Sequence, residues 1–431
     1  MNLRESRPLK PNSGDQRIYS LDALRGVAVL GIFLINIIGF GLPGIGFSNP
    51  VVAGGDGALN YGLWTVTTVF FEGAMRGLFS IMFGAGIVLF CSRAPFPDGP
   101  IAVADLYYRR TLWLVVFGLV HGYALLMPGD ILLIYGLAGL ALFPFRVLSG
   151  RWAAILACCL MLALMISNFA SEWSETLLAE QFQDLPAAES DRSDAQNQVA
   201  KQWQQIYAGN WPPAERVKAE VSARTGSAVS VYTDNARLVM GNSSASGLLW
   251  WVTDAAFMML LGMALFRWGV LTGQRSRKLY RRMALSGYAV GIALRSWFVM
   301  QRWEADFSPA LWAWSVFDQV GRVAMTLGHV GLFFLLWNRF RSSSLMRALT
   351  AAGRMALTNY IGQTFIANLI FTGVGLGLYG SMDRVQLYGT LLVIWTGQLL
   401  SSVWWLNRFR YGPLEWGWRT LTYWRRVPLK L

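Results

Sequence analysis

Two histidines, and a scatter of charged side chains inside apolar runs, are the residues of this 431-residue chain whose types and spacing could do chemistry. His121 lies in "GLVHGYALLMPGDILLIYG", nine residues before Asp130. The tight "MPGD" turn lets the chain fold back, so an imidazole and a carboxylate can meet across a hairpin. A histidine beside a carboxylate serves as a general base near neutral pH. A histidine bonded to a neighbouring helix is the structural alternative.

Four further stretches carry polar groups at helical spacing. In "SLDALRGVAVLGIFLINIIGF", Asp22 and Arg25 are three residues apart and share a face. Asn36 follows Arg25 by eleven residues, which is about 1100° of helix, roughly three turns, and about 16 Å of rise. One stripe of this segment therefore faces something polar, unless Arg25 is a simple anchor and Asn36 bonds a neighbouring helix. In "FFEGAMRGLFSIMFGAG", Glu72 and Arg76 stand in the order that favours an i,i+4 ion pair. In "VFDQVGRVAMTLGHVGLFF", Asp318 and Arg322 have the same spacing, and His329 returns to that face seven residues on. "GRMALTNYIGQ" opens with Arg354 and carries Thr358, Asn359, Tyr360 and Gln363. Asp254 and Arg295 are single charges in other apolar runs. An ionised group at mid-bilayer costs about 2.5–3.5 kcal/mol on insertion scales. Each of these pairs with a neighbour or faces a wet cavity, and their number favours a shared cavity.

The elements that must position them are membrane helices. Hydrophobic residues make up 54% of the chain and charged residues only 14%, too few charges for a soluble domain. The apolar runs predict an all-α, polytopic transmembrane bundle of about ten spans. They fall near 21–41, 77–90, 111–127, 131–146, 152–169, 247–266, 283–300, 310–337, 348–378 and 387–405. "LNYGLWTVTTVFFEGAM" is short and aromatic, and reads as one interfacial or re-entrant helix. That reading leaves Arg93, Arg109 and Arg110 on the cytoplasmic side, together with the basic arm (Arg4, Arg7, Lys10, Arg17) and the loop "GQRSRKLYRR". Both termini are then cytoplasmic. The tail, basic and rich in Trp, suits the inner leaflet surface. Residues 170–245 hold ten acidic and six basic side chains, which fits an extracytoplasmic polar cap or a functionless insertion. The chain thus divides into an N-terminal transmembrane half (1–169), the cap (170–245) and a C-terminal transmembrane half (246–431).

The net charge of +13 falls between apolar runs, so the positive-inside rule accounts for it and nucleic acid is not expected as a partner. Cys91, Cys158 and Cys159 all lie in apolar runs. Their spacing fits neither a disulfide framework nor a zinc site, and no metal is expected. No Gly-rich phosphate loop is present, so ATP chemistry is not expected. The first apolar run lacks a small-residue cleavage site and should remain as the first span.

Taken in order, "LDALRGVAVLGIFLINI", "FFEGAMRGLFSIMFGAGIVLF", "HGYALLMPGDILLIYG" and "GRMALTNYIGQ" resemble the bacterial YeiB-type membrane family (domain of unknown function 418). The resemblance runs from about Arg17 to the C-terminus, and 355–425 looks like that family's C-terminal domain. The opening "LDxLRG" also looks like the transmembrane acyltransferase superfamily, which includes bacterial surface-sugar acyltransferases and the lysosomal heparan N-acetyltransferase. In the sugar enzymes a catalytic His follows the Arg after ten residues; here Asn36 takes that place after Arg25. The heparan enzyme is similar in having Asn there and takes its histidine from elsewhere, which makes His121, with Asp130, the substitute base. The resemblance implies acyl transfer from cytoplasmic acyl-CoA to a sugar or lipid-linked acceptor, within membrane lipid. Arg25, Arg109, Arg110 and Arg354 would contact the donor's phosphates, and Asn36 would donate to an oxyanion or orient the acyl group. The rival readings are a transporter or lipid-handling protein using the same buried charges, and a non-catalytic relative. A homodimer stays open.

Overall fold

The computed structural model describes residues 18–92, 101–309 and 315–431; the basic arm (Arg4, Arg7, Lys10, Arg17) and Arg93 lie outside them. The described residues form sixteen α-helices and no β-strand. The N-terminal half holds α1 (Tyr19–Gly41), α2 (Ala58–Phe70), α3 (Ala74–Cys91), α4 (Ile101–Tyr123), α5 (Ile131–Leu142) and α6 (Gly150–Gln183). Three polar helices follow: α7 (Asp194–Asn210), α8 (Ala214–Thr225) and α9 (Ala228–Asn242). The chain then returns with α10 (Ala245–Arg267), α11 (Arg277–Glu304), α12 (Ser315–Phe340), α13 (Ser344–Arg354), α14 (Ala356–Phe371), α15 (Arg384–Leu406) and α16 (Pro413–Tyr423). Among the described residues, seven segments are long and apolar enough to cross a membrane: α1, the α2–α3 unit, α6, α10, α11, α12 and α15. This is an all-α membrane protein.

Small residues let the helices approach. A Cβ on Gly84 of α3 would strike the Met259 backbone of α10, and one on Gly262 of α10 would strike the Ile81 backbone of α3. Gly26 of α1 and Gly353 of α13 meet in the same way. With lipid as solvent there is little hydrophobic gain in bringing helices together, so close packing of this kind supplies the cohesion. It centres on α10, where Asp254 and Phe257 to Leu260 are buried.

Two breaks shape the interior. α2 has thirteen residues, about 20 Å of helix, too short for a hydrocarbon core of about 30 Å, in keeping with the short-helix reading. It ends at Phe70, and Gly73 (φ 67°) starts α3 in a left-handed conformation. The break overturns one expectation. Glu72 and Arg76 do not share a continuous helix, no ion pair joins them, and Arg76 reaches Asp254 instead, 3.1 Å away. The second break, at Met355 between α13 and α14, divides the run expected as one span over 348–378. The carboxylate of Glu415 in α16 accepts from the backbone N–H groups of Leu357 (2.7 Å) and Thr358 (3.2 Å) and from the Thr358 hydroxyl (2.6 Å). A side chain distant in sequence thereby satisfies the exposed N–H groups at the start of α14.

α6 does not stop at 169. It continues to Gln183 and carries the chain into the three polar helices, with α7 packed against it. Those helices sit on the bundle through polar contacts. Glu220 accepts from Gly44 N–H (2.8 Å) and the Tyr379 hydroxyl (2.6 Å). Asn235 donates to Gly122 carbonyl (2.9 Å) and Asn242 to Pro128 carbonyl (3.0 Å). Residues 170–245 therefore cap the end of the bundle where α1 finishes and α5 begins.

Candidate functional site

The end of the bundle away from the cap holds a cavity of about 300 Å³. Four arginines line it: Arg25 from α1, Arg110 from α4, Arg354 from α13 and Arg419 from α16. Asp22 and Glu415 line it too. Arg25 bonds Asp22 at 2.9 Å, the i,i+3 pair the sequence suggested. Arg110 stacks 4.3 Å from the Trp418 ring centroid, and the Trp418 indole N–H donates to the Arg110 carbonyl at 2.9 Å. Arg354 donates to the Arg410 carbonyl at 3.1 Å. Four guanidiniums and two carboxylates thus line one concavity. Burial pushes the Glu415 carboxyl above the usual range, and its bonds from Thr358 and Leu357 pull the other way.

A larger cavity, about 580 Å³, opens beneath the cap, and Val239, Asn242 and Ser243 of the cap form part of its wall. Its charged lining is Glu72, Arg76, Asp130, Asp254, Arg295, Arg302, Asp318 and Arg322, with Asn36 beside them. Both oxygens of Asp254 receive Arg322, while Arg76 bonds one of them. Asp318 pairs with Arg295 at 3.1 Å. The i,i+4 spacing of Asp318 and Arg322 thus served two different partners on two different helices. Asn36 makes no hydrogen bond to another described residue. Arg25 lines one cavity and Asn36 the other, so the single shared cavity expected from the number of buried charges is two separate ones.

Tyr135 of α5 lines both cavities. Its hydroxyl lies 2.6 Å from Ser80 Oγ and donates to the Arg76 carbonyl at 3.1 Å. Beside it, Tyr360 lines the first cavity, and its hydroxyl accepts from the N–H of Ile131 at 3.3 Å, next to Asp130, which lines the second. Asp130 in turn lies 2.6 Å from His121 Nδ1, and its other oxygen caps α5 by accepting from Leu133 N–H at 2.8 Å. The expected meeting of His121 and Asp130 is therefore made. His121 itself is sealed off, however. It has no exposed surface, lines neither cavity, and places Nε2 2.8 Å from the Thr364 hydroxyl. An ionised Asp130 holds the imidazole proton on Nδ1, which leaves Nε2 to accept from Thr364.

Comparison with known proteins fits this architecture. The chain is 31% identical over 412 residues to the uncharacterized protein YeiB of Escherichia coli strain K12, covering 94% of this chain and 96% of that protein. It is 27% identical to the uncharacterized protein YxaH of Bacillus subtilis strain 168, covering 98% of both chains. The family model described as "Protein of unknown function (DUF418)" matches residues 265–425. The chain belongs to the YeiB-type DUF418 family. The match begins at 265, not at 355 as the resemblance suggested, and so takes in everything from the end of α10 through α16.

Within this YeiB-type framework, Asp22, Arg25, Arg110 and Arg354 gather at the cavity away from the cap. Asn36, Glu72, Arg76, Asp130, Asp318 and Arg322 gather at the capped one. Besides the sealed His121, three expected residues line neither cavity. Arg109 bonds Asp105 at 2.8 Å and stacks on Trp424. His329 lies between the Tyr288 hydroxyl (2.9 Å) and the Phe70 carbonyl (2.8 Å), where it satisfies the end of α2. Asn359 donates to the Ala352 carbonyl and Ser402 Oγ, both at 3.0 Å, and so ties α14 to α13 across the Met355 break and to α15. Sequence reasoning missed Tyr135, Arg302, Thr364, Glu415 and Arg419. The "WGWRTLTY" stretch around Arg419 was legible only as an amphipathic surface segment. Tyr135 gave no signal among the other aromatic residues of its run.

Proposed function

We propose that the protein transfers an acyl group from cytoplasmic acyl-CoA to an extracytoplasmic or lipid-linked acceptor. The observation that carries this reading is the pair of charge-lined cavities at opposite ends of the bundle, with Tyr135 on the wall of both. The guanidiniums of Arg25, Arg110, Arg354 and Arg419 hold the donor's phosphates, and its thioester points toward Tyr135. The acceptor occupies the capped cavity. Asp130, on that cavity's wall, takes the proton from the acceptor's hydroxyl or amine. His121 is a positioning residue that orients Asp130. The acceptor atom attacks the thioester carbonyl, the C–S bond breaks, and CoA leaves as a thiolate. The proton from Asp130 then passes to the thiolate, giving acylated acceptor and free CoA. Asn36, with its amide unengaged, is the donor available to the oxyanion.

The matching topology has about ten crossings, with α2 re-entrant and both termini cytoplasmic in a bacterial inner membrane. Arg110, Arg146 and Arg267 at the uncapped end support it, because positive charge collects on the cytoplasmic side. The cap of 170–245 then lies outside, between the two transmembrane halves.

One observation favours transport or lipid handling instead. The α13–α14 helix is discontinuous, and the start of α14 faces a polar cavity, as in many transporters. Proteoliposomes supplied with radiolabelled acyl-CoA on the uncapped side decide between the two. Acyl transfer predicts free CoA together with a labelled acceptor. Asp130→Asn should slow that reaction by about 10²-fold or more while the protein stays folded. Label that crosses the membrane with its thioester intact, at a rate Asp130→Asn leaves alone, removes the transferase reading.

A further inference from the structure

We infer that the capped cavity binds a singly charged anion, a phosphate or carboxylate group, between Arg76 and Arg322. The inference rests on the acyl-transfer reading only in calling that anion part of the acceptor. Four guanidiniums line this cavity: Arg76, Arg295, Arg302 and Arg322. Three carboxylates stand against them: Glu72, Asp254 and Asp318. The fourth carboxylate on the wall, Asp130, is engaged by His121 and by the start of α5. Asp318 is paired with Arg295. Asp254 is shared by two cations, Arg76 and Arg322. Around Asp254, two guanidiniums therefore share one carboxylate, at a place where an unmatched charge is expensive. Arg322 is 4% exposed and Asp254 3%. An uncompensated buried ion loses more in hydration than neighbouring dipoles return.

The hydrogen bonding repeats the imbalance. The Nε–H groups of Arg76 and Arg322 are both buried and have no hydrogen-bond partner. Both head groups are held in place, Arg322 by two bonds to Asp254 and Arg76 by Asp254 and by stacking 4.3 Å over the Trp251 ring. Neither can turn to find water without giving up Asp254. A purely structural ion pair would need one arginine per carboxylate. Two rigid donors around one carboxylate form instead a site that a third, anionic group completes, through charge-assisted bonds of the kind arginine makes to phosphate and carboxylate. Such a group arrives either as a free anion or on a lipid headgroup.

The test uses the purified full-length chain and its intrinsic Trp fluorescence. Thermal unfolding is followed in neutral-detergent micelles against inorganic phosphate at fixed ionic strength. It is followed again in phosphatidylcholine nanodiscs with and without phosphatidylglycerol. The Tm should rise in at least one arm. A response to phosphate identifies a free anion, and a response confined to phosphatidylglycerol identifies a headgroup. Arg76→Met leaves one arginine for one aspartate, so the anion-dependent rise should vanish while the unliganded Tm stays level or climbs. Asp254→Asn strands a further positive charge, so its anion-dependent rise should exceed that of the unaltered protein. No rise in either arm overturns the inference, and so does a rise of equal size in Arg76→Met. A protein that responds to the anion but transfers no acyl group refutes the enzymatic reading alone. One that acylates only neutral acceptors, with no anion response, refutes this inference alone.

Discussion

Glu415 should hold the break between α13 and α14 open, and its replacement should be read first in stability. The carboxylate accepts two backbone N–H groups at the start of α14 and one hydroxyl from the same turn. An N-terminal cap contributes about 1 kcal/mol, and a hydrogen bond to a charged group about 1.5–3 kcal/mol. Glu415→Ala removes both and leaves Leu357 N–H and Thr358 N–H and O–H without their acceptor, so it should cost about 3 kcal/mol. Glu415→Gln keeps one carbonyl oxygen for the backbone and should cost about 1 kcal/mol. The pH dependence has a definite sign. Burial raises the carboxyl above its ordinary value of 4.5. The folded state therefore binds the proton more tightly than the unfolded chain does. Stability from this group is complete below pH 4.5 and declines as pH climbs through the raised value. The Gln side chain does not titrate, so the stability advantage of Glu415 over Glu415→Gln should shrink between pH 4.5 and neutrality. The assay is denaturation of both proteins in neutral micelles across that range. An advantage that widens with pH would refute the reasoning, because it would mean that the bonds from α14 outweigh burial. An Ala variant as stable as the unaltered protein would show that α14 needs no cap from α16.

Two other changes probe packing and the wall. Gly262→Ala puts a methyl group against the Ile81 backbone, where no side chain can give way. It should cost about 1–3 kcal/mol. Gly389→Ala, with nothing within 4 Å of the new carbon, should be neutral or gain up to about 1 kcal/mol from helix propensity; equal Tm values for the two would count against close α3–α10 contact. Tyr135→Ala removes a side chain that lines both cavities, so water should reach the thioester and free CoA should appear without acylated acceptor. An unaltered ratio of hydrolysis to transfer would place the reacting centre away from Tyr135.

Periodicity made the helices legible, and it misled where helices stop. The face shared by Arg25 and Asn36 was readable because α1 is continuous from Tyr19 to Gly41. An eleven-residue interval therefore kept its meaning. The same arithmetic failed for Glu72 and Arg76, since a left-handed glycine between them resets the helix phase. It failed again for Asp318 and Arg322, although α12 is unbroken there. In a bundle each charge sees several helices at once, and the partner that best compensates its lost hydration wins over the one nearest in sequence. The hairpin of His121 and Asp130 succeeded because the "MPGD" turn fixes both ends within a few residues of each other. Its third and fourth members, Thr364 and Tyr360, come from a helix more than two hundred residues away, a distance no local pattern spans.

The positions sequence reasoning missed share a physical character that explains the miss. Tyr135, Thr364 and Arg419 belong to residue types that are ordinary in their settings: an aromatic in an apolar helix, a hydroxyl in a membrane helix, an arginine in an interfacial segment. Burial gives them significance only after the chain is folded. Asp254 is the opposite case. Its type and place marked it as costly on its own, yet its meaning as the shared partner of two arginines depended on Arg76 of α3 and Arg322 of α12 meeting at α10. A single sequence can therefore identify which groups need compensation in a membrane. Only the packing of helices through Gly84 and Gly262, which brings α3 and α10 close enough for those groups to touch, determines whether the compensation is complete. At Asp254 it is one negative charge short.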